Sequence, residues 1–124
     1  VRAGEAAGIA RRHLMVDPGF GFGKTFQHNV QLLRGLSGLA AVGTPIVVGV
    51  SRKAFVRRLA SVEQEDDDQT AQVSAGLALY AVSQGAAVLR VHDVALTRNL
   101  VRTWEAMASQ PLDDGNTQLY GSLC

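Results

Sequence analysis

Three short clusters hold the residues able to do chemistry: Asp17-Pro18-Gly19-Phe20-Gly21-Phe22-Gly23-Lys24, Ser51-Arg52-Lys53 and Arg90-Val91-His92-Asp93. An aspartate between an apolar stretch and a proline can accept two N–H bonds from a heterocycle with an amidine-like edge, or it can cap its own loop. The glycine run after Asp17 invites a phosphate-loop reading. That pattern needs a glycine where Pro18 stands, and the dinucleotide pattern fails because the spacing is G-x-G-x-G rather than G-x-G-x-x-G. What remains is a loop whose glycines let backbone approach a ligand. Phe22 then walls an aromatic pocket, and Phe20 packs inward.

Ser51-Arg52-Lys53 stands where an apolar strand turns into a helix. N–H groups at a helix start favour anions, so a basic first turn there suits a ligand better than it suits the helix. Lys53 reaches into a cleft, whereas Arg57 and Arg58 are expected to face solvent. Arg90 and His92 are two apart in an extended segment, so both side chains point to one side. Arginine forks two donors onto phosphate or carboxylate and histidine adds a third, which makes a polyphosphate clamp. The competing use of Arg90 is an internal ion pair with Asp93 or Asp17. His13 and His28 have no cluster around them and read as structural.

The elements that must position these groups alternate. An Ala-rich helical stretch over 1–12 leads to a short strand, 13–16, stopped by Pro18. Apolar spacing predicts a helix over 27–42, broken by Gly43-Thr44-Pro45. The unbroken run 46–50 reads as a strand buried on both faces. Ser51 caps a helix over 52–60. An acidic loop, 63–68, precedes a helix over 69–84 with Asp68 as its cap and Gly85 as its stop. A third strand spans 86–91 and a last helix 96–108, with Tyr80 and Trp104 as helix-packing residues. Strands alternating with helices give an α/β fold with a parallel sheet of three strands and flanking helices. All three clusters sit at the C-terminal ends of those strands, the face where such folds build their sites.

Composition bounds the rest. The chain has 124 residues, 47% hydrophobic and 19% charged, which suits a small globular unit and excludes a disordered one. A net charge of +1 gives no basic field for nucleic acid. No apolar run approaches the roughly 20 residues of a membrane span. The single cysteine, Cys124, excludes a disulfide framework and fits a reducing compartment. The first residues lack an apolar signal region and read as a helix joined partway, as if more chain precedes them.

Taken together, the D-P-G-F-G-F-G-K loop with His28-Asn29, the Gly49-Val50-Ser51-Arg52-Lys53 segment and the Arg90-Val91-His92-Asp93-Val94 segment resemble the three motifs of the dihydropteroate synthase family, in family order. The resemblance runs from about Ala10 to Ala108. It implies that residues 1–110 are the C-terminal part of a TIM-type (β/α)8 barrel, strands six to eight; the turn residues and few anchors of 111–124 read as a loose tail. The resemblance implies a cytoplasmic transferase, of a type that sulfonamides target, that joins a dihydropterin methyl pyrophosphate to p-aminobenzoate. By resemblance, Asp17 holds the pterin, Lys53 contacts the pterin beside the aminobenzoate site, and Arg90 and His92 bind the pyrophosphate. Gly21 and Phe22 line the aminobenzoate pocket, and Arg52 shapes its exit. Mg²⁺ is implied as well, with its ligands expected outside this chain and no metal ligand among these residues. The family also implies a homodimer through the late helices. Many relatives carry serine after the lysine, where this chain has Ala54, so carboxylate binding is expected to weaken. The other reading is a catalytically inert half-barrel that acts only by associating with another chain.

Overall fold

The computed structural model of the chain describes residues 1–62 and 66–109. The expected tail over 111–124 and the start of the acidic loop, 63–65, lie outside them. The first helix, α1 (Arg2–Ala6), is shorter than the periodicity suggests. Gly8 adopts φ 84°, Gly8 N donates to Glu5 O and Ile9 N to Gly4 O, which closes the helix in a Schellman turn. A 3₁₀ turn, Arg11–His13, then takes the first residue of the expected 13–16 strand. Only Val16 joins the sheet, in a parallel bridge to Ile46.

Thr25 starts α2 (Phe26–Arg34) by accepting a hydrogen bond from His28 N at 3.2 Å. The helix expected over 27–42 divides at Gly35, and Leu36–Val42 continues as 3₁₀. Strand β1 (Val47–Val48) pairs in parallel with β2 (Val88–Leu89), in the register Val47 to Val88 and Val48 to Leu89. The strand order is therefore Val16, β1, β2, each neighbour parallel to the next. The three expected strands exist as a two-stranded ladder and one bridge, because the backbone leaves the ladder early at each end to form the polar turns.

Between β1 and β2 run α3 (Ala54–Leu59) and α4 (Asp67–Ser83). Two expected caps move. Lys53, not Ser51, is the N-cap of α3, and Asp66, not Asp68, caps α4 by accepting from Gln69 N at 2.8 Å. Gly85 ends α4 as expected, with φ 95°, Gly85 N donating to Val82 O and Ala86 N to Ala81 O. The chain then enters α5 (Val94–Ser109).

The core forms around β1. Ile46, Val48 and Val50 are buried with Phe20, Leu33, Leu36, Phe55, Val56 and Ala81. Phe20 lies fully inside, its ring stacked on Phe55 at 6.2 Å between centroids, as the sequence suggests for Phe20 rather than Phe22. The buried residues of α4 are small: Thr70, Ser74, Ala75, Ala78 and Ala81. Short side chains let α3 and α5 pack close to it. Tyr80 and Trp104 do not pack as expected; they are 39% and 38% exposed.

Candidate active site

The three polar clusters emerge from the same ends of parallel segments. Asp17 follows the Val16 bridge, Gly49 to Lys53 follow β1, and Arg90 to Asp93 follow β2. Asp17 Oδ1 accepts from Gly19 N at 2.8 Å, so it does cap its loop. Its other oxygen, Oδ2, receives Arg90 Nη2 at 3.3 Å, so the internal pairing of Arg90 is present too. The Arg90 guanidinium lies against Gly49: a Cβ there would sit 2.7 Å from Nη2 and 3.0 Å from Cζ. A glycine at the end of β1 thus sets the height of this arginine above the sheet.

Lys53 bridges this pair to the glycine loop. Its Nζ donates to Phe20 O and stands 4.5 Å above the Phe22 ring. A Cβ on Gly21 would come within 3.0 Å of Lys53 Cδ, and Gly21 has φ 80°, so that position needs glycine for both space and backbone. Burial pushes the Lys53 amine below the ordinary lysine range, and Arg90 and Lys24 push it the same way against the opposing charge of Asp17. Lys24 braces the loop, with Nζ donating to Gly19 O at 2.7 Å and to Phe22 O at 3.2 Å.

Asn29 is a residue the sequence reading underused. It is buried on α2, its Oδ1 accepts from Gly21 N at 2.7 Å, and its Nδ2 donates to Thr25 O at 2.8 Å. An amide in the stripe Asn29, Leu33, Leu36 is the available signal, since a polar group on a buried helix face must find partners.

A second set of contacts flanks the first. Ser51 Oγ lies 3.0 Å from His92 Nδ1 and accepts from His92 N at 3.3 Å. Ser51 therefore orients the histidine instead of capping a helix. Arg52 adopts φ 55°, its N–H donates to Ser74 Oγ at 2.9 Å, and its guanidinium forks onto Asp93 at 3.3 and 3.0 Å. The hydrogen bonds and charge of Asp93 hold the Arg52 guanidinium above the ordinary arginine range. Arg52 does not line the cleft; it faces Asp93.

The cleft beside Lys53 has a volume of about 410 Å³ and is lined by Gly21, Phe22, Lys24, Phe26, Asn29, Lys53, Ala54, Phe55 and Arg58. Arg58 is exposed, as expected, and it also lies in this lining with its guanidinium 4.5 Å over the Phe26 ring. The cleft is thus aromatic-walled and basic, and it opens beside the Asp17–Arg90 pair through Lys53. Among the described residues no group of three or more His, Cys, Asp or Glu side chains is placed to hold a metal ion. None of the helices there is long and apolar enough to cross a membrane.

The family model described as pterin binding enzyme matches residues 1–92. The dihydropteroate synthase of Haemophilus influenzae is 44% identical over 104 residues, which cover 84% of this chain and 37% of that protein. That of Neisseria meningitidis serogroup C is 45% identical over 103 residues, 82% of this chain and 36% of the relative. A solved structure of Xanthomonas albilineans dihydropteroate synthase with 4-aminobenzoic acid superposes with a TM-score of 0.83 at 43% identity, covering 89% of this chain and 40% of that one. Another from the same organism, in complex with 7,8-dihydropteroate, matches equally at 0.83 and 43%, over 89% of this chain and 42% of its own. The chain therefore spans little more than a third of the length of the curated relatives it matches.

Proposed function

The chain belongs to the pterin-binding enzyme family, and on that footing we propose that it is the late-barrel portion of a dihydropteroate synthase. The reaction is the condensation of a 6-hydroxymethyl-dihydropterin pyrophosphate with 4-aminobenzoate. The amine nitrogen attacks the methylene carbon, the carbon–oxygen bond to pyrophosphate breaks, and pyrophosphate leaves with the electron pair. The amine then loses a proton to solvent.

One observation carries this reading. An acid, a lysine and an arginine from three separate segments meet at one rim of a parallel sheet, next to an aromatic, acid-free cleft. In the proposal Asp17 receives the amidine-like edge of the pterin. Arg90 and His92 take the departing pyrophosphate, where donors aimed at developing charge act most strongly. In the structure Asp17 and Arg90 hold each other at 3.3 Å, with both side chains partly exposed. Such a pair is worth roughly 0–1 kcal/mol, so substrate exchanges into it at little cost. The pterin replaces Arg90 at Asp17, and that exchange frees Arg90 for the pyrophosphate. Lys53 spans both sites, with Gly21 and Phe22 walling the aminobenzoate side. Arg52 acts from outside the cleft, because its clamped backbone fixes where α3, and hence Lys53 and Ala54, begin. The Mg²⁺ that the resemblance implies finds no donor set among the described residues, and no step here passes through a metal. Exposed Tyr80, Trp104 and Met107 on α4 and α5 support the extension of the proposal to a homodimer through these helices.

The test is a chimera in which this chain replaces the matching segment of the Haemophilus influenzae relative. Pyrophosphate release that requires both substrates is the expected result. A chimera that folds, by circular dichroism and a cooperative melt, yet releases no pyrophosphate overturns the reading. The second reading, association with another chain, draws on the sheet itself: among the described residues Val16 and β2 each have a strand neighbour on one side only. Native mass spectrometry of the chain alone tests it, and a monomer at all concentrations rules it out.

A further inference from the structure

We propose that Arg58 is a specificity-determining residue that receives the carboxylate of the aromatic amine substrate. This inference rests on the function proposed above and adds to it.

The cleft lining contains three cations, Lys24, Lys53 and Arg58, and no acid. Two of the three are engaged. Lys24 donates to Gly19 O and Phe22 O, and Lys53 donates to Phe20 O while standing over Phe22. Among the described residues the Arg58 side chain has no hydrogen bond and no ion pair; its contact is the Phe26 ring, 4.5 Å from Cζ. That contact to the ring leaves the guanidinium N–H groups without an acceptor among the described residues. Its five N–H donors lie in the plane and stay available, in the fork geometry that matches a carboxylate.

Position along α3 supplies the second argument. Ala54 and Arg58 are four residues apart on that helix, so they share a face one turn apart. Both line the cleft. Ala54 offers no polar side-chain atom, so the anionic end of a ligand lying along this face meets Arg58 as its nearest side-chain donor on the helix. Phe22, Phe26 and Phe55 make the walls, which suits a flat ring. The volume, about 410 Å³, lies within the usual range for small-ligand sites. The polarity also has a direction. The end of the cleft near Lys53 feels Arg90 and Asp17, where the reacting carbon is proposed to sit. An aromatic amine with its nitrogen at that end places its carboxylate at the other, under Arg58.

Arg57, its neighbour, is committed elsewhere, donating from Nη1 to Arg52 O at 3.3 Å. The assignment is therefore specific to one of two adjacent arginines.

The experiment uses the full chain within the active chimera. Arg58→Gln removes the charge and fork; Arg58→Lys keeps charge without the fork. Initial rates are measured against 4-aminobenzoate and against its neutral amide, 4-aminobenzamide, at saturating pterin pyrophosphate. Arg58→Gln is expected to raise KM for 4-aminobenzoate roughly tenfold, the scale of one charge-assisted contact. KM for 4-aminobenzamide and for the pterin substrate should stay unchanged, and Arg58→Lys should fall between. If Arg58→Gln affects acid and amide equally, or neither, while the parent chimera is active, the assignment is wrong. If the parent chimera releases no pyrophosphate, the function proposed above fails, and the role of Arg58 falls with it.

Discussion

Gly49→Ala isolates the site from the fold. A Cβ at this position would lie 2.7 Å from Arg90 Nη2, 3.0 Å from Cζ and 3.3 Å from Nε. Carbon and nitrogen atoms in ordinary contact stand about 3.5–4 Å apart, so the guanidinium must retreat by about 1 Å. Its bond to Asp17 is already 3.3 Å long, and such a retreat carries it beyond hydrogen-bond range. The group that moves is the partly exposed end of a flexible side chain, so the fold loses roughly 0–1 kcal/mol. Gly49 is not among the left-handed glycines, and alanine there restores a similar amount by restricting the unfolded chain, about 0.4–1 kcal/mol. The melting temperature should therefore barely move. Turnover should not be spared, because a misplaced Arg90 forfeits a charged hydrogen bond to the leaving group. Such bonds are worth about 1.5–3 kcal/mol, or roughly 10- to 150-fold in kcat/KM. The assays are pyrophosphate release by the chimera and its thermal melt. A Gly49→Ala chimera with rates within about twofold of the parent would refute the reasoning. A large drop in melting temperature would refute the claim that the arginine yields instead of the backbone.

Further predictions follow from the same contacts. In Arg90→Gln the Lys53 amine, followed by NMR of its side chain, should titrate higher than in the parent, though still below an ordinary lysine, because burial is the larger cause; Asp17→Asn should move it lower still. Opposite signs are required, and shifts in one direction would contradict the shared field. Because folded Lys53 releases its proton more readily than unfolded Lys53, the unfolded chain binds more protons in the window just below the ordinary lysine range. Denaturant unfolding stability should accordingly rise with pH across that window, and Lys53→Met should flatten the rise. Asn29→Leu leaves Gly21 N without its acceptor at a part-buried site, which should cost about 1–3 kcal/mol by chemical denaturation. Asp93→Asn should slow catalysis without changing the substrate discrimination assigned to Arg58; altered preference between acid and amide would place Arg52 in the cleft after all.

The strand–helix alternation was legible because each apolar run is bounded by its own punctuation. Pro18, Gly43 and Gly85 stop elements where φ or a missing N–H forces them to stop. The division of labour between Phe20 and Phe22 was legible as well. What escaped depends on partners distant in sequence. Ser51 reads as a helix cap from its neighbours alone, yet the proximity of His92 gives its hydroxyl another use. Arg58 is exposed, as helix periodicity suggests, but its place at the cleft depends on Phe26, which comes from a different helix. Gly35 splits the 27–42 helix although the apolar spacing runs on through it. Of three aspartates in a row the sequence points to the last, Asp68, as the cap of α4, yet the first, Asp66, takes that place.

Arg52 sits at φ 55°, a left-handed backbone that glycine or asparagine adopts far more readily than arginine. Roughly 1–2 kcal/mol is stored there, held in place by Ser74 below and Asp93 beside it. Directed evolution towards heat resistance alone will find Arg52→Gly attractive, since it relaxes the kink while the surrounding loops survive. The thermotolerant clones so obtained would have traded away the ion pair that ties the turn after β1 to the end of β2. A screen on this scaffold therefore needs a catalytic readout in every round, because endurance and competence pull this single residue in opposite directions.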